Sequence, residues 1–437
     1  MKVVFDISVL GIANLVSYSR TGTFRYVENL AHGLAKSSEC DLRFCALRPL
    51  GQINSSSFAL DYLEDNSRLS HVPFIAPPLI TPKRILDHQI NRLNGAIECR
   101  RSESRLDQIH RRAIRRLFSN VRIMFEAIPD LQISKELEGA DIFYFPSNST
   151  MPKRTSRMKN LKRFITVYDL APILYPDFFA HHEENLLRAM IASLGPEDRL
   201  ICISHSTKDD LLSHFTHIDP SRVVVTHLAA SDFFYPCSDT EKISNVKRKY
   251  GIAPHTPYVL SVGTLEPRKN LDHVIEGFSR FVRENHVNDL NLVLVGPKGW
   301  NYERIFVRVA QEEWLKDRVI FTGYVADEDL APLYTGALAF VYLSFHEGFG
   351  LPPLEAMQCG TPVIVSNTSS FPEVVGEAGL MIDPRDRDAF GQALHSLYHS
   401  ISLRETMSRK SLERARQFSW DKCTRETIAA FKMAVDN

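Results

Sequence analysis

The stretch from Ala337 to Val365 constrains what this chain can fold into more than any other. An apolar run, Ala337 to Leu343, is long enough for a buried strand and leads into Phe345-His346-Glu347-Gly348-Phe349-Gly350-Leu351. Helix-forming residues follow, including Glu355, until Gly360-Thr361-Pro362 stops them ahead of Val363-Ile364-Val365. Strand, glycine loop, helix and strand in that order form the repeating unit of a parallel sheet covered by helices. Gly348 and Gly350 let the backbone approach a ligand closely, and the free N–H groups at the helix start offer a seat for a phosphate or sugar oxygen. Glu347 and Glu355 bracket that seat, a pairing suited to a polyol with vicinal hydroxyls. Taken singly, each carboxylate fits a solvated loop or helix face equally well.

The same rhythm occurs twice. In the first half, Val3 to Ile7 reads as a strand, and Arg20-Thr21-Gly22-Thr23 leads into a helix whose apolar positions Phe24, Val27, Leu30, Ala31 and Leu34 recur at helical spacing, with Thr23 as N-cap. Strands are then expected at Leu42 to Leu47, Ile142 to Phe145, Phe164 to Val167, Leu200 to Ile203 and Val223 to Val225. A polar, turn-like segment from Pro236 to Thr240 separates this series from a second, which begins at Tyr258 to Val262 and ends at Leu380 to Ile382. The 437 residues suffice for two domains with cores of their own. We therefore expect an α/β chain of two doubly wound, Rossmann-like domains, residues 1–238 and 239–415, facing each other across a deep cleft, where ligands are favoured.

Charge and cysteine usage narrow the partners. Lys plus Arg balances Asp plus Glu at 52 each, so nothing global points to nucleic acid. The seven cysteines (40, 45, 99, 202, 237, 359 and 423) form no CxxC pair, which suits a reducing cytoplasm better than a disulfide framework. No apolar run approaches the roughly 20 residues that cross a bilayer, and the N-terminus enters a strand without a cleavable signal. The expected location is cytoplasmic, at most resting on a membrane. A helical insertion at about 81–122 is strongly basic: from Lys83 to Arg122 eleven basic residues stand against four acidic ones, a local charge of +7. Such a stretch suits anionic lipid or a pyrophosphate-linked acceptor as well as it suits a solvated amphipathic helix.

A second loop complements the first. Gly263-Thr264-Leu265-Glu266-Pro267-Arg268-Lys269-Asn270 follows a strand and opens a helix, placing two cations at the sheet edge where a phosphate is expected. Arg grips phosphate bidentately and Lys adds a point charge, so together they suit a leaving diphosphate. Tyr168 and Asp169 end a strand and are pocket candidates, although a strand-end Asp is as often a cap. Asp386-Arg387-Asp388 and Asp327-Glu328-Asp329 have the letters of a metal-binding pair, yet both precede helices and read as first-turn residues. No His or Cys cluster has metal-ligand spacing, and no Gly-x-Ser-x-Gly elbow occurs, so neither a metal nor another cofactor is expected.

With these motifs the chain resembles, over nearly its whole length, the retaining glycosyltransferases of family 4, which have the GT-B fold. The resemblance is most specific in Glu347 to Glu355, the family's E-x7-E element, and in Gly263 to Asn270; Gly323-Tyr324-Val325, Gly360 to Ile364 and Phe371-Pro372-Glu373-Val374 also look like family blocks. Thr21 to Tyr26 and Tyr168-Asp169-Leu170 look most like a branch that includes bacterial mannosyltransferases of surface-polysaccharide assembly. The resemblance implies that Arg268 and Lys269 bind the donor diphosphate, Glu355 the ribose and Glu347 the sugar hydroxyls. It further implies backbone contacts from Gly263 and from Gly348, Phe349, Gly350 and Leu351, with Tyr324 and Val325 beside the base. Gly22 would face the diphosphate from the first domain, and Thr21, Thr23 and Arg25 would line the acceptor side. A last helix, residues 416–437, would return to the first domain, and no metal would take part.

Two departures stand out. Many relatives have His where Tyr168 stands, and a phenol does not carry the same charge near neutral pH; Thr264 replaces an Arg common after the strand glycine. The implied activity is retaining transfer of a hexose, with mannose from GDP-mannose the leading choice, to a saccharide or lipid-linked saccharide acceptor. A transferase using UDP- or another nucleotide sugar, a sugar phosphorylase or epimerase, and a catalytically silent nucleotide-sugar-binding protein are the alternatives.

Overall fold

The computed structural model describes residues 1–15, 22–47, 49–50, 53–77, 80–98, 113–121, 131–147, 149–152, 155, 158, 160–386 and 388–436. Thr21, Arg387 and Cys99 lie outside these residues, as do six of the basic side chains of the insertion: Arg100, Arg101, Arg105, Arg111, Arg112 and Arg122. The chain forms two compact units. Met1–Thr166, Arg188–Ile201 and Thr424–Asn437 make up the first; Val167–Leu187 and Cys202–Cys423 make up the second.

Strands β1 (Lys2–Asp6), β2 (Asp41–Cys45), β3 (Ile142–Phe145), β4 (Lys162–Val167), β5 (Arg199–Cys202) and β6 (Val223–Val225) form one six-stranded sheet in the order β2-β1-β3-β4-β5-β6. The pairings of β1 with β2 and β3, and of β3 with β4, are parallel. In the first unit the core gathers aromatic rings. Phe431, on the helix Trp420–Asp436, packs edge-on against Phe164 and Tyr144, with centroids 4.8 and 5.5 Å away. A buried hydroxyl chain joins Tyr26, Tyr144 and Thr166 at 2.5 and 2.6 Å. A helix Ser8–Leu15 follows β1 directly, and the next helix, Gly22–Lys36, buries Phe24, Val27, Leu30, Ala31 and Leu34, the residues its periodicity selects. It starts at Gly22, so Thr23 lies within the first turn instead of capping it.

The second unit carries β7 (Tyr258–Val262), β8 (Asn291–Val295), β9 (Val319–Gly323), β10 (Ala339–Tyr342), β11 (Val363–Ser366) and β12 (Gly379–Ile382). Their order is β9-β8-β7-β10-β11-β12, and all five pairings are parallel. Strands β8, β10 and β11 are buried at every position because helices cover both faces, which is why they read as unbroken apolar runs. The helix Leu271–Glu284 turns Leu271, Val274, Ile275, Phe278, Phe281 and Val282 inward, a stripe at helical spacing that fills one layer of this core. The strand order reverses between β7 and β10. At such a reversal the helices following adjacent strands diverge to opposite faces, leaving a crevice at the carboxyl ends.

Candidate functional site

Two strands and their helices separate β7 from β10 in sequence, yet the two strands are neighbours, with Val259 beside Ala339 and Leu260 beside Phe340. The loops that leave their carboxyl ends therefore begin side by side. One contains Arg268 and Lys269, on a short 3-10 turn started by Pro267; the other contains Glu347. Lys269 Nζ donates to Glu347 Oε1 at 2.6 Å and to the Tyr342 hydroxyl at 2.6 Å. Arg268 Nη1 lies 3.0 Å from the same carboxylate oxygen and donates to the His346 carbonyl at 2.7 Å, while Nη2 donates to Glu266 at 2.7 Å. The buried Nε–H of Arg268 has no acceptor among the described residues.

The electrostatics of this cluster follow from burial. Desolvation works to raise the Glu347 pKa, but the adjacent charges of Arg268 and Lys269 outweigh it and hold the carboxyl at about 2. Burial and the neighbouring Arg268 charge pull Lys269 below the ordinary lysine range, with Glu347 working the other way. Burial pushes the Tyr342 phenol well above its usual range, so it remains a neutral hydroxyl beside the lysine.

The glycine loop is shaped by close packing and by hydroxyl groups. A Cβ on Gly348 would lie 1.9 Å from the Tyr168 carbonyl oxygen, so only glycine permits this approach. The Gly348 carbonyl accepts from Ser204 Oγ at 2.6 Å, and Thr207 Oγ1 bridges to both Gly348 and Tyr168 carbonyls. Ser204 also caps the helix His205–His214, as its position before that helix suggests. On the other side, Ser369 Oγ accepts from the Glu347 N–H at 3.1 Å, and Ser370 Oγ donates to its carbonyl at 3.0 Å. Gly350, with φ of 93°, turns the chain into the helix Leu351–Gln358, whose first N–H groups face the loop end.

The structure thus assembles Arg268, Lys269, Glu347 and Gly348 in one cluster and sets Tyr168 against it. Asp169 accepts from the Ala171 N–H at 3.0 Å, a turn contact two residues on, and its charge also acts on Arg268. Glu355 is only 4% exposed and accepts from the Tyr334 hydroxyl at 2.9 Å. Leu351 opens the following helix, Phe349 is buried, and Gly263 directly follows β7. Beyond β9, Tyr324 is 57% exposed and Val325 is buried. Gly22, Thr23 and Arg25 stand in the first turn of the helix Gly22–Lys36, within the first unit.

Sequence reading passed over several residues at this site. Tyr342 is the last residue of β10, and its position at a strand's carboxyl end was the available signal. His346, inside the glycine-loop motif, is buried with Nε2 3.6 Å from Asp210 Oδ2, and neither atom has a hydrogen-bond partner among the described residues. Burial raises the Asp210 pKa, with His346 opposing. The acidic pairs behave as helix-start residues: Asp386 accepts from the N–H groups of Asp388 and Ala389, and Asp329 holds Lys249 at 2.6 Å.

Known proteins resemble this chain. The profile of the family described as Glycosyl transferases group 1 matches residues 242–414. The chain is 35% identical over 297 residues to O-antigen chain mannosyltransferase B of Escherichia coli, covering 67% of this chain and 74% of that protein. Serotype-specific mannosyltransferase WbdA of Escherichia coli is 28% identical over 62% of this chain, which spans only about a third of it (33%). Among solved structures, Anabaena Alr3699/HepE in complex with UDP and glucose superposes with a TM-score of 0.67 at 15% identity, covering 99% of this chain and 100% of that one, and so shares its fold. Family profile, relatives and fold agree, and the chain belongs to the group 1 glycosyltransferases, with a GT-B fold.

Proposed function

We propose that this glycosyltransferase moves a hexose, mannose from GDP-mannose being our leading choice, to a saccharide or lipid-linked saccharide acceptor in the synthesis of a surface polysaccharide, with retention of anomeric configuration and without a metal. The relatives named as mannosyltransferases, one of them for the O-antigen chain, support mannose as the transferred sugar and a surface polysaccharide as the setting. The observation that carries the chemistry is the joint engagement of Arg268 and Lys269 with one oxygen of Glu347 at the strand-order reversal, with the Arg268 Nε–H left to donate. In the donor complex these two cations and the N–H groups at the start of Leu351–Gln358 neutralise the departing diphosphate. This is electrostatic stabilisation and needs no protein nucleophile. Glu347 turns to the sugar hydroxyls, and Glu355 takes the ribose. Tyr324 and Val325 flank the base.

The deciding experiment offers GDP-, UDP-, ADP- and dTDP-sugars to the purified full chain. Stabilisation by one donor in a thermal shift, and release of its nucleoside diphosphate only when acceptor is present, is the expected result. A response to UDP-glucose instead would transfer the reading to a UDP-sugar, for which the HepE complex with UDP and glucose gives a precedent. Binding without turnover would mark a silent nucleotide-sugar-binding protein. The proposed setting is the cytoplasm, with peripheral contact to anionic membrane through the basic insertion; none of the described helices is long and apolar enough to cross a membrane. Equal binding of the native chain and a charge-neutralised insertion variant to anionic vesicles would remove that contact.

A further inference from the structure

Away from the cationic cluster, the second unit brings together three residues with no spacing relationship in sequence. His205 opens the helix His205–His214, His227 follows β6, and Glu373 lies on the short helix Phe371–Val374. One imidazole nitrogen from each histidine and one carboxylate oxygen lie within 4.8 Å of one another. His227 Nε2 is 2.5 Å from Glu373 Oε1, and the two imidazole rings meet edge to face at 5.6 Å.

The carboxylate is held in place from several sides. Its two oxygens accept from the backbone N–H groups of His205 and Ser206 at 2.8 and 3.2 Å, and Arg414 grips the carbonyls of Glu373 and Val374. Burial works to raise the Glu373 pKa, but the hydrogen bonds from His227 and the two N–H groups prevail and keep it below the ordinary range. His227 is fixed as well, packed against Phe349 at 6.0 Å and Phe418 at 5.7 Å, whereas His205 is exposed.

We propose that His205, His227 and Glu373 form a binding site for a divalent transition metal of the zinc class, with a fourth position open to water. Two imidazoles and one carboxylate are a borderline nitrogen and oxygen donor set, which zinc takes in tetrahedral geometry and which magnesium and calcium do not prefer. Donor atoms in such a shell stand about 3.4 Å apart, given metal bonds of roughly 2.1 Å. The His227–Glu373 contact has to open by about 1 Å, and rotation of the His205 ring supplies the remaining closure. The ion takes the lone pair of His227 Nε2 and displaces the proton shared with Glu373, which leaves to solvent.

The site ties together the start of a helix, the segment after β6 and the helix Phe371–Val374. Through His227 it also borders Phe349, a member of the glycine loop. The ion acts as a clasp on that loop and has no part in the departure of the diphosphate. This inference does not depend on the choice of donor.

The test uses the full chain, stripped with a chelator, and zinc alone. Equilibrium dialysis with metal analysis should show one zinc per chain, with magnesium not retained. H205A replaces an exposed side chain and leaves the fold intact; it should weaken zinc binding by at least about tenfold and remove the zinc-dependent rise in Tm. H227Q should do the same, and H217A, at an exposed histidine elsewhere in this unit, should change neither readout. Absence of stoichiometric zinc, retention of full affinity in both H205A and H227Q, or magnesium bound as tightly as zinc would overturn the proposal and leave only a hydrogen-bonded His–Glu latch.

Discussion

Lys269 and Glu347 meet at 2.6 Å although 78 positions separate them in sequence. The contact closes a charge cluster in which one carboxylate oxygen serves both Lys269 and Arg268, so the two cations are held by an internal anion. On the proposed function, an arriving diphosphate would take over preoriented donors, the cost of ordering two long side chains having been met by folding.

Lys269→Ala should lower kcat at least about a hundredfold, since one well-placed charge contributes roughly 3 kcal/mol at a site of this kind. Circular dichroism should show a folded variant, because Arg268 still neutralises Glu347. Turnover within tenfold of wild type, measured as acceptor-dependent release of nucleoside diphosphate, would remove Lys269 from the mechanism.

Gly348→Ala tests the packing of the glycine loop on Tyr168. The new methyl would lie 1.9 Å from a backbone oxygen, which has no flexible end to swing aside. The loop must move, at a cost of about 1–3 kcal/mol by analogy with overpacked cores. A lower denaturation midpoint together with a large loss of activity is expected; an unchanged midpoint would mean that the loop does not sit against Tyr168.

The pH dependence of stability carries the signature of Glu347. Its pKa is held at about 2 in the folded protein and lies at about 4.3 when unfolded. The native state is therefore favoured by its ionisation above pH 4.3, and that contribution is lost as pH falls from there through 2. Its full size is on the order of 3 kcal/mol. Denaturation curves of wild type and Glu347→Gln should converge over this window as pH is lowered; a constant difference from pH 6 to 2 would show that Glu347 is not the titrating group.

Glu355→Ala should raise the donor KM by about tenfold or more while leaving kcat less affected, if the carboxylate holds the ribose through hydrogen bonds worth 1–3 kcal/mol. The same change strips the buried Tyr334 hydroxyl of an acceptor, so Tyr334→Phe serves as the control. Equal KM values for Glu355→Ala and Tyr334→Phe would assign Glu355 to packing alone.

The regular elements were largely legible because local rules govern them. Apolar runs such as Leu292 to Val295 have no polar face to show, which marks them as strands buried on both sides, and the stripe Leu271, Val274, Ile275, Phe278 marks the helix that covers them. The start of the helix His205–His214 offered either Ser204 or Ser206 as its cap, and the structure selects Ser204. Side-chain partners were less legible. Nothing local says that Tyr342 holds Lys269, that Ser369 and Ser370 clasp Glu347, or that His346 faces Asp210, since each contact joins segments whose separation depends on the order of strands.

The sequence by itself determined the repeated strand and helix units, the glycines at Gly348 and Gly350, and the charges available at the loop ends. Each is set within a few residues by sterics, burial period and backbone freedom. Tertiary structure alone decided which loops meet. By placing β10 beside β7, while β8 and β9 lie on the other side, the sheet delivers Glu347 to Arg268 and Lys269. The same long-range folding gathers His205, His227 and Glu373 from three distant segments. Strand neighbours are selected by the burial of whole faces, a property of the assembled sheet that no local stretch of sequence contains.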